Sequence, residues 1–158
     1  MTPTLDGLPS DSLLNYAQAQ AHSARVDAAL GLRPEVIEAT LRAPQGSGTH
    51  GGAEQNLWIG LPVQTLLTPY SEIFTLLARL ELPPAATVVD LGAGYGRMGF
   101  VVGRHFPQLK FIGYEYVPER VLEGQRCLEP LGWGERVQLL QQDLTAADFE
   151  PVTADAYF

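Results

Sequence analysis

One stretch, Thr87 to Gly99, most constrains what this chain can fold into. Thr87-Val88-Val89 is a short β-branched run, which makes Thr87 to Leu91 read as a buried strand. Asp90-Leu91-Gly92-Ala93-Gly94-Tyr95-Gly96 follows, with glycine at three alternate positions. Glycine has no Cβ, so the chain can turn sharply there and pass close to a ligand. Met98, Val101, Val102 and His105 then recur at helical spacing, so Arg97 to Phe106 reads as the next helix. A strand, a glycine turn and a helix N-terminus in this order build a nucleotide-type pocket at the carboxyl end of a parallel sheet.

The spacing narrows the ligand. A dinucleotide fingerprint needs G-x-G-x-x-G or G-x-G-x-x-A, which seats a pyrophosphate on the helix N-terminus. Counted from Gly92, its last position is Arg97, bulky and charged. Counted from Gly94, a shifted match through Gly96 and Gly99 exists, but it places Asp90 ahead of the first glycine. The G-x-x-x-x-G-K-[ST] pattern of a P-loop is absent. The better description is an acid, one residue, then G-x-G-x-G. An acid at that strand end repels a pyrophosphate and attracts a cation.

From here the chain resembles the class I S-adenosylmethionine-dependent methyltransferases, over roughly Thr68 to Phe158. The resemblance rests on Asp90–Gly96, on Phe111–Val121, where an apolar strand ends in Glu115, and on Val137–Leu144, where another ends in Asp143. It implies a Rossmann-like α/β sheet with strand order 3-2-1-4 and S-adenosylmethionine as cofactor. It further implies that Asp90, Gly92, Ala93, Gly94 and Gly96 lie against the methionyl part. Glu115, with Tyr116 beside it, would hold the ribose hydroxyls, and Asp143 and Leu144 would lie near the adenine. These roles are chemically sensible: a carboxylate only accepts hydrogen bonds, and its two oxygens can hold a vicinal diol. Asp90 can complement the sulfonium and α-amino groups. Each acid also has a plainer reading, Glu115 as a solvated strand end and Asp143 as an N-cap.

Composition sets the outer limits. The 158 residues suffice for a sizeable core, and 46% hydrophobic with 18% charged residues is globular usage. A net charge of −8 disfavours nucleic acid as partner, since phosphate binding relies on Lys and Arg. Cys127 is the one cysteine, so neither an internal disulfide nor a cysteine zinc cluster is expected. It reads as a small packed side chain. No metal-ligand spacing occurs, no membrane partner is expected, and a cytoplasmic location is the default.

Residues 1–56 read as an N-terminal helical segment with a glycine-rich loop, and residues 57–158 as the cofactor-binding domain. Ser10 or Ser12 would cap a first helix carrying Leu13, Leu14 and Tyr16 and stopping at Gly31. Pro34 would open a second helix with Val36, Ile37, Thr40 and Leu41 on one face, ended by Pro44. Both helices are expected to cover one mouth of the site. Pro44–Gly52 is too polar to pack a core, so it reads as a linker or as a lid. His50 within it is weak as a catalytic base. Thr68 would cap a third helix, with Pro69 at its first position and Ile73, Phe74, Leu76, Leu77 and Leu80 on its apolar face.

Thr68, Pro69, Asp90, Leu91, Gly92, Gly94, Gly96 and Arg97 are similar to a methyltransferase subgroup that includes protein-lysine methyltransferases. That likeness lets Tyr70 either touch the cofactor or pack at the helix start. The remaining elements read as strand Lys110–Glu115, helix Pro118–Leu131, strand Arg136–Gln141 and strand Asp155–Phe158. In the family, more strands and the substrate-facing loop follow the fourth strand. The expectation is therefore a cofactor-binding part that is inactive by itself and either self-associates through its last strand or is only marginally stable. The methyl acceptor, protein lysine or small molecule, and the catalytic base stay open. Two other readings remain: an NAD(P)-dependent oxidoreductase using the shifted glycines, and a binding module without turnover.

Overall fold

A computed structural model describes residues 14–42 and 61–158. The Pro44–Gly52 loop, His50, Ser10 and Ser12 lie outside the described residues. Four parallel strands form one sheet in the order β3-β2-β1-β4. They are β1 (Thr87–Leu91), β2 (Lys110–Glu115), β3 (Val137–Gln141) and β4 (Ala156–Tyr157). Strand order 3-2-1-4 is the one expected. Val88 pairs with Phe111 of β2 and with Ala156 of β4, and Phe111 pairs with Val137 of β3. The run Val88-Val89 is fully buried, as a central parallel strand covered on both faces requires.

The helices are α1 (Tyr16–Leu30), α2 (Pro34–Arg42), α3 (Val63–Leu66), α4 (Tyr70–Leu80), α5 (Arg97–His105) and α6 (Pro118–Leu128). Several ends differ from the sequence expectation for identifiable reasons. Helix α1 starts at Tyr16 because Asn15 builds a reciprocal capping box with Gln18, each bond 3.0 Å. Pro69, not Thr68, occupies the cap position of α4, and no side chain of its own caps it. The buried Tyr70 N–H is met instead by Ser23 Oγ of α1 at 3.2 Å. Helix α6 stops at Leu128 and tightens into a 3-10 turn at Glu129–Leu131, where Pro130 has no N–H to continue the α ladder. A second such turn, Gly134–Arg136, takes Arg136 out of β3. The short α3 has no counterpart in the sequence reading.

Helix α2 is rotated from its expected face. Val36 is 56% exposed, while Pro34 and Glu38 are buried and Ile37 is half-buried. A charged residue takes the core-facing position because it has partners there, described below.

One apolar cluster runs through α1, α4, α5, α6 and the sheet, joining Val26 and Leu30 to Leu77, Phe100, Phe111 and Leu139. Glu123 of α6 ties the α1–α2 joint to this body, accepting from the Arg33 N–H at 2.9 Å and from Arg126 Nη2 at 2.8 Å. Arg126 above all holds the Glu123 carboxyl down at about 2. Cys127 is buried, as expected.

Helix α6 approaches the glycine turn closely. A Cβ on Gly124 would lie 2.5 Å from the Tyr95 carbonyl oxygen and 2.5 Å from a Leu139 methyl. Gly124→Ala is therefore expected to lower stability by about 1–3 kcal/mol despite alanine's better helix propensity. Urea unfolding checks this; an unchanged or raised midpoint would mean that the helix can back away freely.

Candidate functional site

The site is built where β1 ends. Asp90, the fourth residue of β1, is half-buried and its carboxylate accepts no hydrogen bond from any described residue. It lines a cavity of about 240 Å³ together with Gly92, Ala93 and Met98 from the turn and α5. Leu66, Thr68, Ile73 and Leu76 supply the facing wall. Burial raises the Asp90 carboxyl to about 6, and the neighbouring charge of Glu115 adds to the shift. An unpartnered carboxylate in a largely apolar cavity is unfavourable alone and favours a cation beside it.

The turn is held from β2. The N–H groups of Gly92 and Ala93 both donate to the Tyr114 carbonyl at 2.9 Å. Gly92 has φ +100 and Gly96 has φ +78, a region that side-chain-bearing residues adopt only with strain. Gly96 ends the turn and stands as N-cap of α5, with no side chain to cap it.

Glu115 is not the open, solvated strand end that the sequence suggested. It is 5% exposed. Its Oε2 accepts from the Gly94 N–H and its Oε1 from the Val117 N–H, each at 2.9 Å. The carboxylate therefore locks the glycine turn of β1 to the end of β2. Each oxygen can still accept one further bond.

Two buried polar networks join the N-terminal helices to this turn. In the first, Arg97 pairs with Asp27 of α1 through Nη2 and Nε. Its Nη1 donates to the Thr68 carbonyl at 3.2 Å, and Nη2 also donates to Gln64 Oε1 at 3.0 Å. Tyr70 donates its hydroxyl to Asp27 at 2.8 Å and lies under the guanidinium, 5.0 Å from ring centre to Cζ. Burial keeps the Tyr70 phenol protonated well above its ordinary range. Tyr70 is fully buried by this packing, so it does not face the cavity; of the two readings left open, packing holds.

In the second network, Glu38 of α2 accepts from the Tyr95 hydroxyl at 2.8 Å and from Arg120 Nε at 2.8 Å. Arg120 Nη1 in turn stands 3.7 Å from Glu115 Oε1. Tyr95 lies between two glycines of the turn and is fully buried. Sequence reading missed Glu38, Asp27 and Arg120. The one local hint was Glu38 itself, four residues after Pro34 on what the structure makes the inner side of α2.

The remaining expected residues extend along the carboxyl edge of the sheet. Tyr116 follows β2 and is 38% exposed. The backbone N–H of Gln142 donates to the Glu115 carbonyl at 2.9 Å, which brings the end of β3 beside the end of β2. Asp143 comes next. Its Oδ1 accepts from the Thr145 hydroxyl at 2.7 Å and the Thr145 N–H at 2.8 Å, which together hold its carboxyl below the usual range. Leu144 is half-buried. Thus Asp90, Gly92 and Ala93 line the cavity, whereas Glu115, Tyr116, Asp143 and Leu144 do not. Among the described residues no group of three or more His, Cys, Asp or Glu could hold a metal ion. No described helix is long and apolar enough to cross a membrane.

No protein-family profile matches the chain. It is similar to a curated trans-aconitate 2-methyltransferase of Azoarcus sp. (strain BH72), 35% identical over 71 residues. That match takes in 45% of this chain and 26% of the relative, so the chain spans well under two thirds of it. Among solved structures, the cyclase SpnF aligns over 88% of this chain and 47% of its own, with TM-score 0.50 and 18% identity. A methyltransferase from Geobacter sulfurreducens, solved with S-adenosyl-L-homocysteine, aligns over 49% of this chain and 30% of its own, with TM-score 0.40 and 29% identity. That a protein described as a cyclase shares the architecture is a reminder that fold alone does not decide chemistry.

Proposed function

We propose that this polypeptide, whose sheet has the strand order 3-2-1-4 of the class I S-adenosylmethionine-dependent methyltransferases, binds S-adenosylmethionine and serves methyl transfer to a small-molecule acceptor. The observation that carries the reading is Asp90: an unpartnered carboxylate, raised to about 6, lining a cavity beside a glycine turn. S-adenosylmethionine presents two cationic groups, the sulfonium and the α-amino group, and either one satisfies that carboxylate.

The chain's own residues then have distinct tasks. Asp90 supplies the negative charge for the cationic end. Gly92 and Ala93 let the backbone come close to the methionyl part. Glu115 takes the two ribose hydroxyls on the acceptor positions left after its bonds to Gly94 and Val117. Asp143, Leu144 and the backbone after β3 meet the adenine, with Tyr116 alongside. When bound, the cofactor supplies a methyl group on a good thioether leaving group, so the protein's main contribution is to position the two reactants.

A dinucleotide fits less well. Its pyrophosphate would meet two carboxylates, Asp90 and Glu115, while Arg97 and Arg120 are already paired with Asp27 and Glu38. The small-molecule acceptor is favoured over protein lysine on two grounds. The curated relative is described as acting on trans-aconitate. In addition, Tyr70 and Arg97, part of the likeness to the lysine-directed subgroup or next to it, both bond to Asp27, and the Thr68 carbonyl accepts from Arg97.

Calorimetry with S-adenosylmethionine, S-adenosylhomocysteine and NAD tests the reading. The first two are expected to bind; tight NAD binding with no response to S-adenosylhomocysteine overturns it. Affinity for S-adenosylmethionine should fall as pH drops through about 6, because Asp90 then takes up a proton and loses its charge. Asp90→Asn should weaken binding at pH 8 and remove this pH dependence.

The stability effect has the opposite sign. The folded chain holds the Asp90 proton more tightly than the unfolded one, so the free energy of unfolding decreases as pH rises from about 4 to about 6. Asp90→Asn should therefore stabilise the ligand-free protein at pH 8, by on the order of 1–3 kcal/mol. A variant no more stable than the parent would mean that Asp90 already has a satisfactory partner.

A further inference from the structure

We propose that Glu38 is a positioning residue for the Glu115 carboxylate, acting through Arg120 and through Tyr95. The inference rests on the reading of Glu115 as the ribose-binding acid. Glu38 is 1% exposed, and no binding step above uses it. A carboxylate so deeply buried is costly unless it is paired and hydrogen-bonded. Its pairing is elaborate. Arg120 Nε donates to Oε1 at 2.8 Å and Nη2 to Oε2 at 3.2 Å, a two-pronged grip. The Tyr95 hydroxyl adds a third bond at 2.8 Å.

Both partners of Glu38 lead to Glu115. The prongs on Glu38 leave Arg120 Nη1 at 3.7 Å from Glu115 Oε1. That is near enough to stabilise the charge and too far to occupy a lone pair in a hydrogen bond. A guanidinium released from Glu38 would turn its fork onto Glu115 and consume the acceptor positions needed for a diol. Tyr95, meanwhile, follows Gly94, whose N–H donates to Glu115 Oε2. Fixing the Tyr95 ring fixes that donor. Glu38 thus holds Arg120 back from Glu115 and holds the glycine turn against it. These links also give α2, far from β2 in sequence, a reason to pack against the turn.

The test uses two ligands on the 158-residue chain: S-adenosylhomocysteine and its analogue lacking both ribose hydroxyls. Glu38→Gln is expected to weaken S-adenosylhomocysteine roughly tenfold to a hundredfold, the range by which loss of an orienting partner weakens metal-coordinating side chains. The analogue should lose far less affinity, because the larger part of the relay acts on the diol-binding carboxylate. Equal weakening of both ligands would show a purely structural role and overturn the proposal, as would undiminished binding of S-adenosylhomocysteine. If Glu38→Gln does not fold, Arg120→Lys carries the same comparison. A lysine keeps the charge but cannot grip Glu38 at two points, so the same selective loss is expected and the same outcomes overturn the proposal. A parent chain that binds neither ligand defeats the cofactor reading itself, and is thereby distinguishable from failure of the relay alone.

Discussion

Replacing Glu115 by alanine is expected to lower both cofactor affinity and fold stability. The stability loss is the larger departure from what a strand-end acid would do. Removing the side chain strands the buried Gly94 and Val117 N–H groups, each of which donates to it at 2.9 Å. Unsatisfied buried donors cost about 1–3 kcal/mol each. The same change takes a neighbouring anion from Arg120, which retains Glu38. Together these place the loss at about 3–5 kcal/mol, the scale of a broken buried pair. Loss of two charge-assisted bonds to the ribose would remove on the order of 1.5–3 kcal/mol of cofactor affinity.

Thermal unfolding of Glu115→Ala and Glu115→Gln separates the effects. The glutamine variant keeps one acceptor oxygen and should fall between the alanine variant and the parent. An alanine variant as stable as the parent would show that Gly94 and Val117 find other partners. A folded glutamine variant with unchanged affinity for S-adenosylhomocysteine would remove Glu115 from the ribose site.

A comparable loss is expected at Asp27. Asp27→Ala leaves the Arg97 guanidinium, 4% exposed, without its carboxylate and the buried Tyr70 hydroxyl without its acceptor. About 3–5 kcal/mol is the expected cost. The double variant Asp27→Leu with Arg97→Met should be much closer to the parent, because it removes both charges and refills the space with apolar atoms. Denaturant unfolding of the two singles and the double closes a double-mutant cycle. Additive losses would mean that the pair does not act as a unit. The outcome bears on function, since Arg97 opens α5 directly after Gly96 and its displacement would disturb the cavity wall.

The parts of the molecule legible in the sequence are those whose cause is local. The β-branched run before Asp90 specifies β1, and it ends where expected, at Leu91. Alternate glycines specify the turn, and apolar spacing after Arg97 specifies α5 to within one residue of its end. Gly31 terminates α1 in the left-handed region, as its lack of a Cβ allows. The acids Asp90, Glu115 and Asp143 could be placed at or just past successive strand ends, because strand ends are visible as the limits of apolar runs.

What the sequence could not disclose is whether each charge meets water or a partner. Asp27, Glu38, Arg97 and Arg120 look like ordinary solvated charges on helices, yet all are buried. Their partners lie 70 positions away for Arg97 with Asp27 and 82 for Arg120 with Glu38. A buried charge differs from a solvated one only through what stands against it, and tertiary packing alone decides that. The same reason governs Glu115. The sequence by itself determined its place at the end of β2, as the limit of an apolar run. Only the fold, by folding the Gly94 N–H back against it and setting Arg120 beside it, made it a buried acceptor instead of an open strand end.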